Sequence, residues 1–284
     1  MKLGLFTLIT PELTPLQAVH AAREYGYDGI CLRVADVGTP AAGKINYWSG
    51  NRCSIPLERL AADLPTFVTA ARDAKLEVPS LGAYFRHDQV DQIERLMRIM
   101  RDNGVKGLRI AGSSHDGKTN YRDQFAAMRR GYEHLETLAR NYGVRACVEQ
   151  HHETLAPTVS ACMRLVDGLD PRHIGVILDP GNAVAEGFET YRLAVEMLGD
   201  YLAEVHVKNG IMVPAGRSAG GFAQWKAQWG GLRDGLANFE ELGGVLRRQK
   251  FNGYLMLEDF SDRPMDVRLR EGAAVMRQMA DGAG

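Results

Sequence analysis

Short apolar segments alternate with longer amphipathic segments along the whole 284-residue sequence. The apolar segments have the length of strands, and the segments between them carry apolar residues at helical spacing. Strict alternation of this kind is typical of parallel strands that are joined by helical crossovers. The predicted strands are residues 2–8, 29–34, 77–84, 107–112, 145–151, 175–179, 203–209 and 253–259, and the predicted helices are 14–26, 56–75, 88–104, 121–143, 158–168, 189–199, 239–249 and 264–281.

Eight such units predict an α/β chain that closes into a single (β/α)8 TIM barrel over residues 1–284. The rival fold is an open, doubly wound sheet. The GxGxxG fingerprint of that sheet is missing after the first strand, where the sequence reads LITPEL, and this favours the barrel. We find no linker, charge run or low-complexity segment that would divide the chain into two domains.

Composition disfavours several classes of partner. The formal net charge is −1, whereas a nucleic-acid-binding protein usually has a basic excess. No segment approaches the about 20 apolar residues of a membrane span, and the N-terminus lacks the features of a secretory signal. The four cysteines have no CxxC spacing, which favours free thiols in a reducing cytoplasm. We therefore expect a cytoplasmic protein with a small-molecule partner, without nucleic acid or membrane.

Four consecutive predicted strands end on a carboxylate or an imidazole. Asp179 ends GVILD, Glu149 lies in VRACVEQHH, His206 in LAEVHVKN and Glu258 in GYLMLEDF. Because these strands are neighbours around a barrel, the four side chains can reach one level of its mouth. Three anions at one point repel each other unless a cation lies between them. Oxygen-rich ligands favour Mn²⁺, Mg²⁺ or Co²⁺ over a cysteine-rich zinc site.

Each of these residues also has a structural alternative, since a glutamate at a strand end often forms a salt bridge or caps a helix. His151 faces the same way as Glu149, and it either binds substrate or orients that glutamate. Lys208 faces the mouth with His206, where pairing with a carboxylate is favoured over a Schiff base. The alternation directs Gln150, His152 and Asp259 toward the helices and leaves the facing of Arg33 and Arg109 open.

Two connections are too long to be turns, and both follow a strand. One runs from Ala35 to Pro56 and contains Trp48, and the other runs from Gly210 to Asn238. Both are expected at the C-terminal face, where barrel enzymes have their sites. Their glycines and tryptophans suit a wall or lid over that site. The alternative is a surface excursion or an oligomer contact, and the sequence leaves a homo-oligomer open.

The motifs VEQHHETLAPT, ILDPGN, EVHVKNG and GYLMLEDF stand in the order of the xylose isomerase-like TIM barrels, which the sequence resembles over nearly its whole length. That superfamily contains sugar isomerases, sugar epimerases, hydroxypyruvate isomerases, inosose dehydratases and type IV AP endonucleases. The resemblance implies that the metal ligands are Glu149, Asp179, His206 and Glu258. It also implies that Glu149 and Glu258 are the catalytic acid and base, and that His151 and Arg217 contact substrate.

Two departures from this family narrow the function. Asn182 stands where many relatives have a histidine, and the endonuclease branch uses that histidine in a three-metal cluster, so DNA repair is disfavoured. Asn209 stands where relatives with HVKD have an aspartate, which disfavours the second metal of xylose isomerase itself. The segment PAGRSAGGFAQWKAQWGG matches no subfamily signature known to us.

We therefore expect a divalent-metal-dependent isomerase or epimerase of a sugar or hydroxy-keto acid, with one metal ion, Mn²⁺ before Mg²⁺ or Co²⁺. Glu149 and Glu258 would move a proton through a metal-stabilised enediolate. Loss of a β-hydroxyl from the same species would give dehydration, so a dehydratase of a keto-cyclitol or hydroxy acid is one alternative. A non-catalytic sugar-binding barrel is another. The expected substrate-binding residues are His151, Lys208, Arg217 and Trp48.

Overall fold

Eight parallel strands form a closed barrel in the computed structural model, which describes residues 1–38 and 44–282. Numbered along the chain, the barrel strands are β1 (Lys2–Phe6), β2 (Gly29–Val34), β4 (Ser80–Arg86), β5 (Gly107–Ala111), β6 (Arg145–Glu149), β7 (Ile174–Leu178), β8 (Leu202–Val207) and β11 (Tyr254–Leu257). Strand β1 pairs with both β2 and β11, and this double pairing closes the sheet. The predicted α/β fold class and TIM barrel are confirmed.

Helices follow the barrel strands and surround the sheet. They are α1 (Pro15–Glu24), α2 (Leu57–Asp73), α3 (Val90–Asp102), α4 (Tyr121–Tyr142), α5 (Val159–Val166), α6 (Pro180–Ala185), α7 (Tyr191–Leu198), α8 (Phe239–Arg248) and α9 (Met265–Asp281). Helix α1 begins at the predicted cap, where the Thr14 side chain accepts from the Gln17 amide and the Gln17 side chain accepts from the Thr14 amide. Pro65 lies inside α2, which continues past it. The sequence did not predict α6.

Side chains of the strands alternate between the helix layer and the barrel interior. Leu257 faces the helix layer, because a Cβ added at Gly272 of α9 would lie 2.5 Å from Leu257 Cδ2. Phe6 fills the interior, where a Cβ added at Gly82 would lie 2.3 Å from its ring. The Phe6 ring centroid is 6.1 Å from that of His206, so this apolar side chain directly adjoins the polar residues of the mouth.

The two long connections form additional strands. The first connection contains the short strand β3 (Ser54–Ile55), which pairs with β2. Residues 39–43 of this connection, and residues 283–284 at the end of the predicted domain, lie outside the described residues. The second folds into an antiparallel hairpin of β9 (Asn209–Arg217) and β10 (Ala223–Gly230). The hairpin was not predicted, because its exposed sequence is rich in small residues and lacks an apolar alternation.

Asn209 fixes the base of this hairpin. Its side-chain amide donates to the carbonyls of Leu232 and Ala237 at 2.8 and 3.0 Å. Its Oδ1 accepts from the amides of Gly210 and Ala237, both at 2.9 Å. An aspartate could accept the two bonds from backbone amides but could not donate to the two backbone carbonyls. Asparagine is therefore the residue that satisfies all four backbone groups.

Within the described residues, no helix combines the length and the apolar character that crossing a membrane requires. The predicted free thiols are present as buried cysteines at positions 31, 53, 147 and 162. Burial raises the pKa of the Cys53 and Cys147 thiols to about 12, so these thiols are protonated and unreactive at neutral pH.

Candidate metal centre

Four side chains from consecutive barrel strands meet at the C-terminal mouth. Ligand-type atoms of Glu149, Asp179, His206 and Glu258 all lie within 4.8 Å of one another. His206 Nδ1 is 3.1 Å from Glu149 Oε1 and 3.7 Å from both Asp179 Oδ2 and Glu258 Oε2. All four side chains belong to residues that are at most 3% exposed. The structure therefore brings together the four residues that the sequence predicted as ligands.

The DPGN motif turns the chain from β7 directly into α6. Asp179 is the N-cap of α6, and its Oδ1 accepts from the Asn182 amide at 3.0 Å. Pro180 occupies the first helical position, where its missing amide hydrogen is not needed. A Cβ added at Gly181 would lie 2.7 Å from Lys208 Cγ, so the turn passes against the lysine only with glycine. This local structure aims the Asp179 carboxylate into the mouth.

Two buried cations pair with the carboxylates of the cluster. Lys208 Nζ lies 2.6 Å from Asp179 Oδ2 and 2.7 Å from Glu258 Oε2. Arg109 of β5 forms a buried ion pair with Glu149 Oε2. Lys208 thus has the carboxylate pairing that the sequence favoured. Arg109, whose facing the sequence left open, points into the barrel.

These cations outweigh the effect of burial on two of the carboxylates. Burial alone would raise the pKa of Glu258, but Lys208 and His206 lower this pKa to about 2. Burial also acts to raise the pKa of Glu149, and Arg109 and His206 hold that pKa well below its usual value. Both glutamates are therefore carboxylates at neutral pH, and each has an oxygen that faces the cluster.

Asp179 and His206 show that the cluster is short of positive charge. Burial raises the pKa of Asp179 although Lys208 opposes the shift. Burial acts to lower the pKa of His206, and the surrounding carboxylates raise it well above its usual value. Within the described residues, the three acidic ligands and Glu204, which also contacts His206, are balanced by Lys208 and Arg109 in direct ion pairs and by Arg33, which acts on Glu258 at longer range. With a neutral histidine, as metal ligation requires, the four carboxylates still outnumber these three cations, and a bound cation would make up the difference.

His206 is oriented from below by a second carboxylate. Its Nε2 is 3.1 Å from Glu204 Oε1, and the Ser80 hydroxyl donates to Glu204 Oε2 at 3.0 Å. With Nε2 donating to Glu204, the lone pair of a neutral His206 lies on Nδ1, which faces the cluster. A carboxylate behind a ligating histidine is the usual device for fixing its tautomer and ring orientation.

Asn182 connects two of the predicted ligands. Its side-chain amide donates to Asp179 Oδ2 at 2.9 Å, to the Gln150 carbonyl at 3.0 Å and to Glu149 Oε1 at 3.3 Å. Its Oδ1 is 2.9 Å from His152 Nδ1. The strand alternation had directed His152 toward the helices. That expectation does not match the structure, because β6 ends at Glu149 and the alternation does not continue past it.

A cavity of about 440 Å³ lies over the cluster, within the range of small-molecule sites. Of the predicted site residues, it is lined by Glu149, Glu258, His151, Lys208 and Trp48. Arg217 does not line it. This arginine is exposed at the far end of β9, where its guanidinium donates to the Gly221 carbonyl at 2.6 Å. His151 Nδ1 is 2.7 Å from the His152 carbonyl, and burial lowers the pKa of His151.

Aromatic rings form one wall of this cavity. The ring centroid of Phe260 lies 5.7 Å from that of Trp48 and 5.8 Å from that of Trp229. Trp48 also packs edge-on to Tyr84 at 6.3 Å, and the Arg109 guanidinium lies 4.8 Å from the centre of the Tyr84 ring. Flat apolar faces opposite a polar cluster suit a ligand that has both C–H faces and hydroxyl groups.

A family model described as xylose isomerase-like TIM barrel matches residues 19–279. The chain belongs to this family. The resemblance that the four motifs indicated is thereby confirmed.

Among curated proteins, the chain is similar to the inosose dehydratase of Bacillus velezensis (strain DSM 23117 / BGSC 10A6 / LMG 26770 / FZB42). The two are 26% identical over 167 residues, which are 56% of this chain and 54% of that protein. The match spans only about half the length of the curated relative, so it does not transfer that protein's activity.

Solved structures share the whole barrel at low identity. The 3-keto-D-glucoside 4-epimerase of E. coli has a TM-score of 0.70 at 16% identity, with 98% of this chain and 99% of that chain covered. A D-psicose 3-epimerase has a TM-score of 0.71 at 14% identity, with 99% and 100% covered. A xylose isomerase-like barrel protein from Mycobacterium smegmatis, solved in complex with magnesium, has a TM-score of 0.69 at 14% identity, with 98% and 96% covered. These likenesses show the fold.

The sequence analysis left the facing of Arg109 open, although the sequence contains a signal for it. Arg109 lies between Leu108 and Ile110, both of which are fully buried. Two apolar neighbours at alternate positions point to the helix layer, and the residue between them must then face the barrel interior. The same reasoning applies to Arg33, between Leu32 and Val34 in β2. Tyr84 carried no comparable signal.

Proposed function

We propose that this protein is a divalent-metal-dependent isomerase or epimerase that acts on a sugar or a hydroxy-keto acid. One observation carries the proposal: Glu149 and Glu258 line the 440 Å³ cavity and also belong to a buried cluster of three carboxylates and one imidazole that could hold a metal ion. Two carboxylates that can exchange protons with a ligand thus stand next to a site suited to a divalent ion. The sugar epimerases among the structural relatives support the same reading.

The residues that would hold the ion are Glu149, Asp179, His206 and Glu258. They fit a divalent ion because they offer three carboxylates and one imidazole nitrogen, aimed at one point and buried. When bound, the ion would supply Lewis-acid polarisation of adjacent carbonyl and hydroxyl oxygens. Mn²⁺ is our first choice for this site, with Mg²⁺ and Co²⁺ as alternatives.

Glu149 and Glu258 would carry the proton transfers. One carboxylate removes a proton from the carbon beside the carbonyl, and one returns a proton. Return to the neighbouring carbon gives isomerisation, and return to the opposite face of the same carbon gives epimerisation. Arg109 holds Glu149 through Oε2, so Oε1 is the oxygen of this side chain that is directed to the cluster.

Three further residues would position the substrate. Lys208 is buried beside Asp179 and Glu258, and an ammonium released from these oxygens by a bound ion can donate to a substrate oxygen. His151 lines the same cavity and offers a neutral imidazole at neutral pH, because burial lowers its pKa. Trp48 offers a ring face in the aromatic wall.

A dehydratase is the second candidate, and the match to an inosose dehydratase is the observation that favours it. The same two carboxylates serve this reaction, in which the departing β-hydroxyl takes the second proton. The products distinguish the two candidates, since dehydration releases water and forms an enone that absorbs in the ultraviolet.

The test is solvent deuterium exchange. The protein, loaded in turn with Mn²⁺, Mg²⁺ and Co²⁺, is incubated in D₂O with a panel of ketoses and hydroxy-keto acids. We expect deuterium at the carbon beside the carbonyl, suppression by a chelator, and a loss of about 10²-fold or more in Glu149→Gln and in Glu258→Gln. Glu240→Gln, an exposed glutamate at the start of α8, is the matched control. If compounds of the panel bind to the protein but none of them takes up deuterium, the protein is a sugar-binding barrel without this activity.

A further inference from the structure

A second cavity, here called the outer chamber, adjoins the cavity over the cluster. Its volume is about 770 Å³. The two cavities share four wall residues: His152, Glu153, Trp229 and Phe260. The outer chamber therefore borders the cavity over the cluster, and the Trp229 and Phe260 rings belong to the wall that the two share.

The hairpin and the turn after α6 build the rest of the outer chamber. Residues 226–228 of β10 form one side, and Ala185 and Glu186 at the end of α6 form another. Asp262, which follows β11, also lines the outer chamber. The hairpin segment that matched no known signature in the sequence thus contributes directly to this space.

The volumes decide how much ligand the site can hold. The inner cavity alone falls within the about 300–1,000 Å³ of sites that bind one small molecule. The outer chamber is a second space in the same range, and it shares wall residues with the first. A single ring that reacts at the cluster would leave this second space to solvent. A substrate with two linked units would fill both.

The chemistry of the outer chamber favours a neutral, hydroxyl-rich unit. Trp229 and Phe260 pack against each other, with ring centroids 5.8 Å apart, and provide aromatic surface in the wall that the two cavities share. Gln228 and three carboxylates, on Glu153, Glu186 and Asp262, can accept hydrogen bonds from hydroxyl groups. The three carboxylates oppose one lysine in this wall, so a phosphate there would be repelled.

We propose that the outer chamber is a binding subsite for the second unit of a neutral glycoside whose other sugar reacts at the cluster. This inference rests on the proposed function, since it assigns a substrate class to the same site. It excludes free monosaccharides and sugar phosphates as the preferred substrates. Glycosides with a second sugar are the simplest members of the class.

Binding to the Mn²⁺-loaded, full-length protein tests the inference. The probes are fructose, three disaccharides in which a second sugar is attached to fructose (isomaltulose, turanose and lactulose), and fructose 6-phosphate. Isomaltulose and fructose 6-phosphate are substituted at the same hydroxyl and differ in charge. Titration calorimetry should give an affinity about tenfold or more higher for at least one disaccharide than for fructose, with fructose 6-phosphate weaker than isomaltulose.

A filled outer chamber provides the variant. Ala227→Trp places a large ring in the wall of the chamber and should abolish the preference for the disaccharide while the affinity for fructose stays unchanged. Ala223→Trp, on the same exposed strand but outside the wall, is the matched control and should keep the preference. Equal affinities for fructose and all three disaccharides, or a preference that Ala227→Trp leaves intact, would overturn the inference.

Deuterium exchange on the same probes separates this result from the proposed function. Exchange into fructose that is as fast as into every disaccharide overturns the subsite as a determinant of substrate. If the disaccharide preference appears in binding and disappears in Ala227→Trp, but no probe exchanges deuterium, then the proposed isomerase or epimerase function fails and the sugar subsite stands.

Discussion

Replacement of Lys208 by methionine is the perturbation whose size the structure defines best. The lysine ammonium lies 2.6 Å from Asp179 Oδ2 and 2.7 Å from Glu258 Oε2, in a residue that is 2% exposed. Methionine keeps an unbranched stem and lacks the ammonium group. In the metal-free protein, two buried carboxylates then lose their shared cation, and removal of one partner of a buried ion pair costs about 3–5 kcal/mol.

The same substitution should matter much less in the metal-loaded protein. A divalent ion bound by Asp179 and Glu258 takes over the neutralisation of their charges, so the ammonium is no longer their main partner. We expect the destabilisation by Lys208→Met to fall below about 2 kcal/mol with saturating Mn²⁺. The stabilisation that Mn²⁺ gives should accordingly be larger in the variant than in the wild type.

Unfolding by urea, with a chelator or with Mn²⁺, measures both values. Lys226→Met, at an exposed lysine on the hairpin, is the matched control and should change stability by about 0.5 kcal/mol or less in either condition. The reasoning is refuted if Lys208→Met destabilises the protein equally with and without the metal. That result would mean that the ammonium and the ion do not share the same carboxylates.

Three other substitutions test the residues around the cluster. Glu204→Gln should weaken Mn²⁺ binding about 10–100-fold in calorimetry, because the partner that fixes the His206 tautomer is lost, and unchanged affinity would contradict this role. Asn182→Ala should lower the free energy of unfolding by about 1–3 kcal/mol, as measured by urea denaturation. The variant should still bind one ion per chain, as measured by metal analysis of the folded protein. Asn209→Asp should destabilise the protein by about 3 kcal/mol or more and expose the hairpin to limited proteolysis, since a carboxylate would face two carbonyl oxygens. Asn252→Asp, at an exposed position, is the control, and equal effects of the two changes would contradict the structural account.

The sequence was sufficient to predict the barrel and the convergence of four side chains. Periodicity fixes which residues of a buried strand share a face, and parallel strands place their carboxyl ends at one rim. Glu149, Asp179, His206 and Glu258 were found by that reasoning alone. Arg109 could have been found in the same way from its apolar neighbours.

Other features depend on contacts that no local pattern reveals. His152 was assigned to the wrong side because the end of β6 cannot be read to within one residue. Helix α6 has six residues and no apolar repeat, so it gave no helical signal. The hairpin is exposed along most of its length, and it carries Arg217 away from the cavity where the family resemblance had placed it. Because the hairpin was not predicted, the outer chamber that it lines was not predicted either.

The central claim is that one divalent ion binds between four side chains of the barrel mouth. Anomalous diffraction from crystals soaked in MnCl₂ tests it most directly. We predict a single strong anomalous peak per chain, in contact with Glu149, Asp179, His206 and Glu258, with the Lys208 ammonium moved off its two carboxylates. An anomalous peak elsewhere, or no peak while Lys208 still bridges Asp179 and Glu258, would contradict the account.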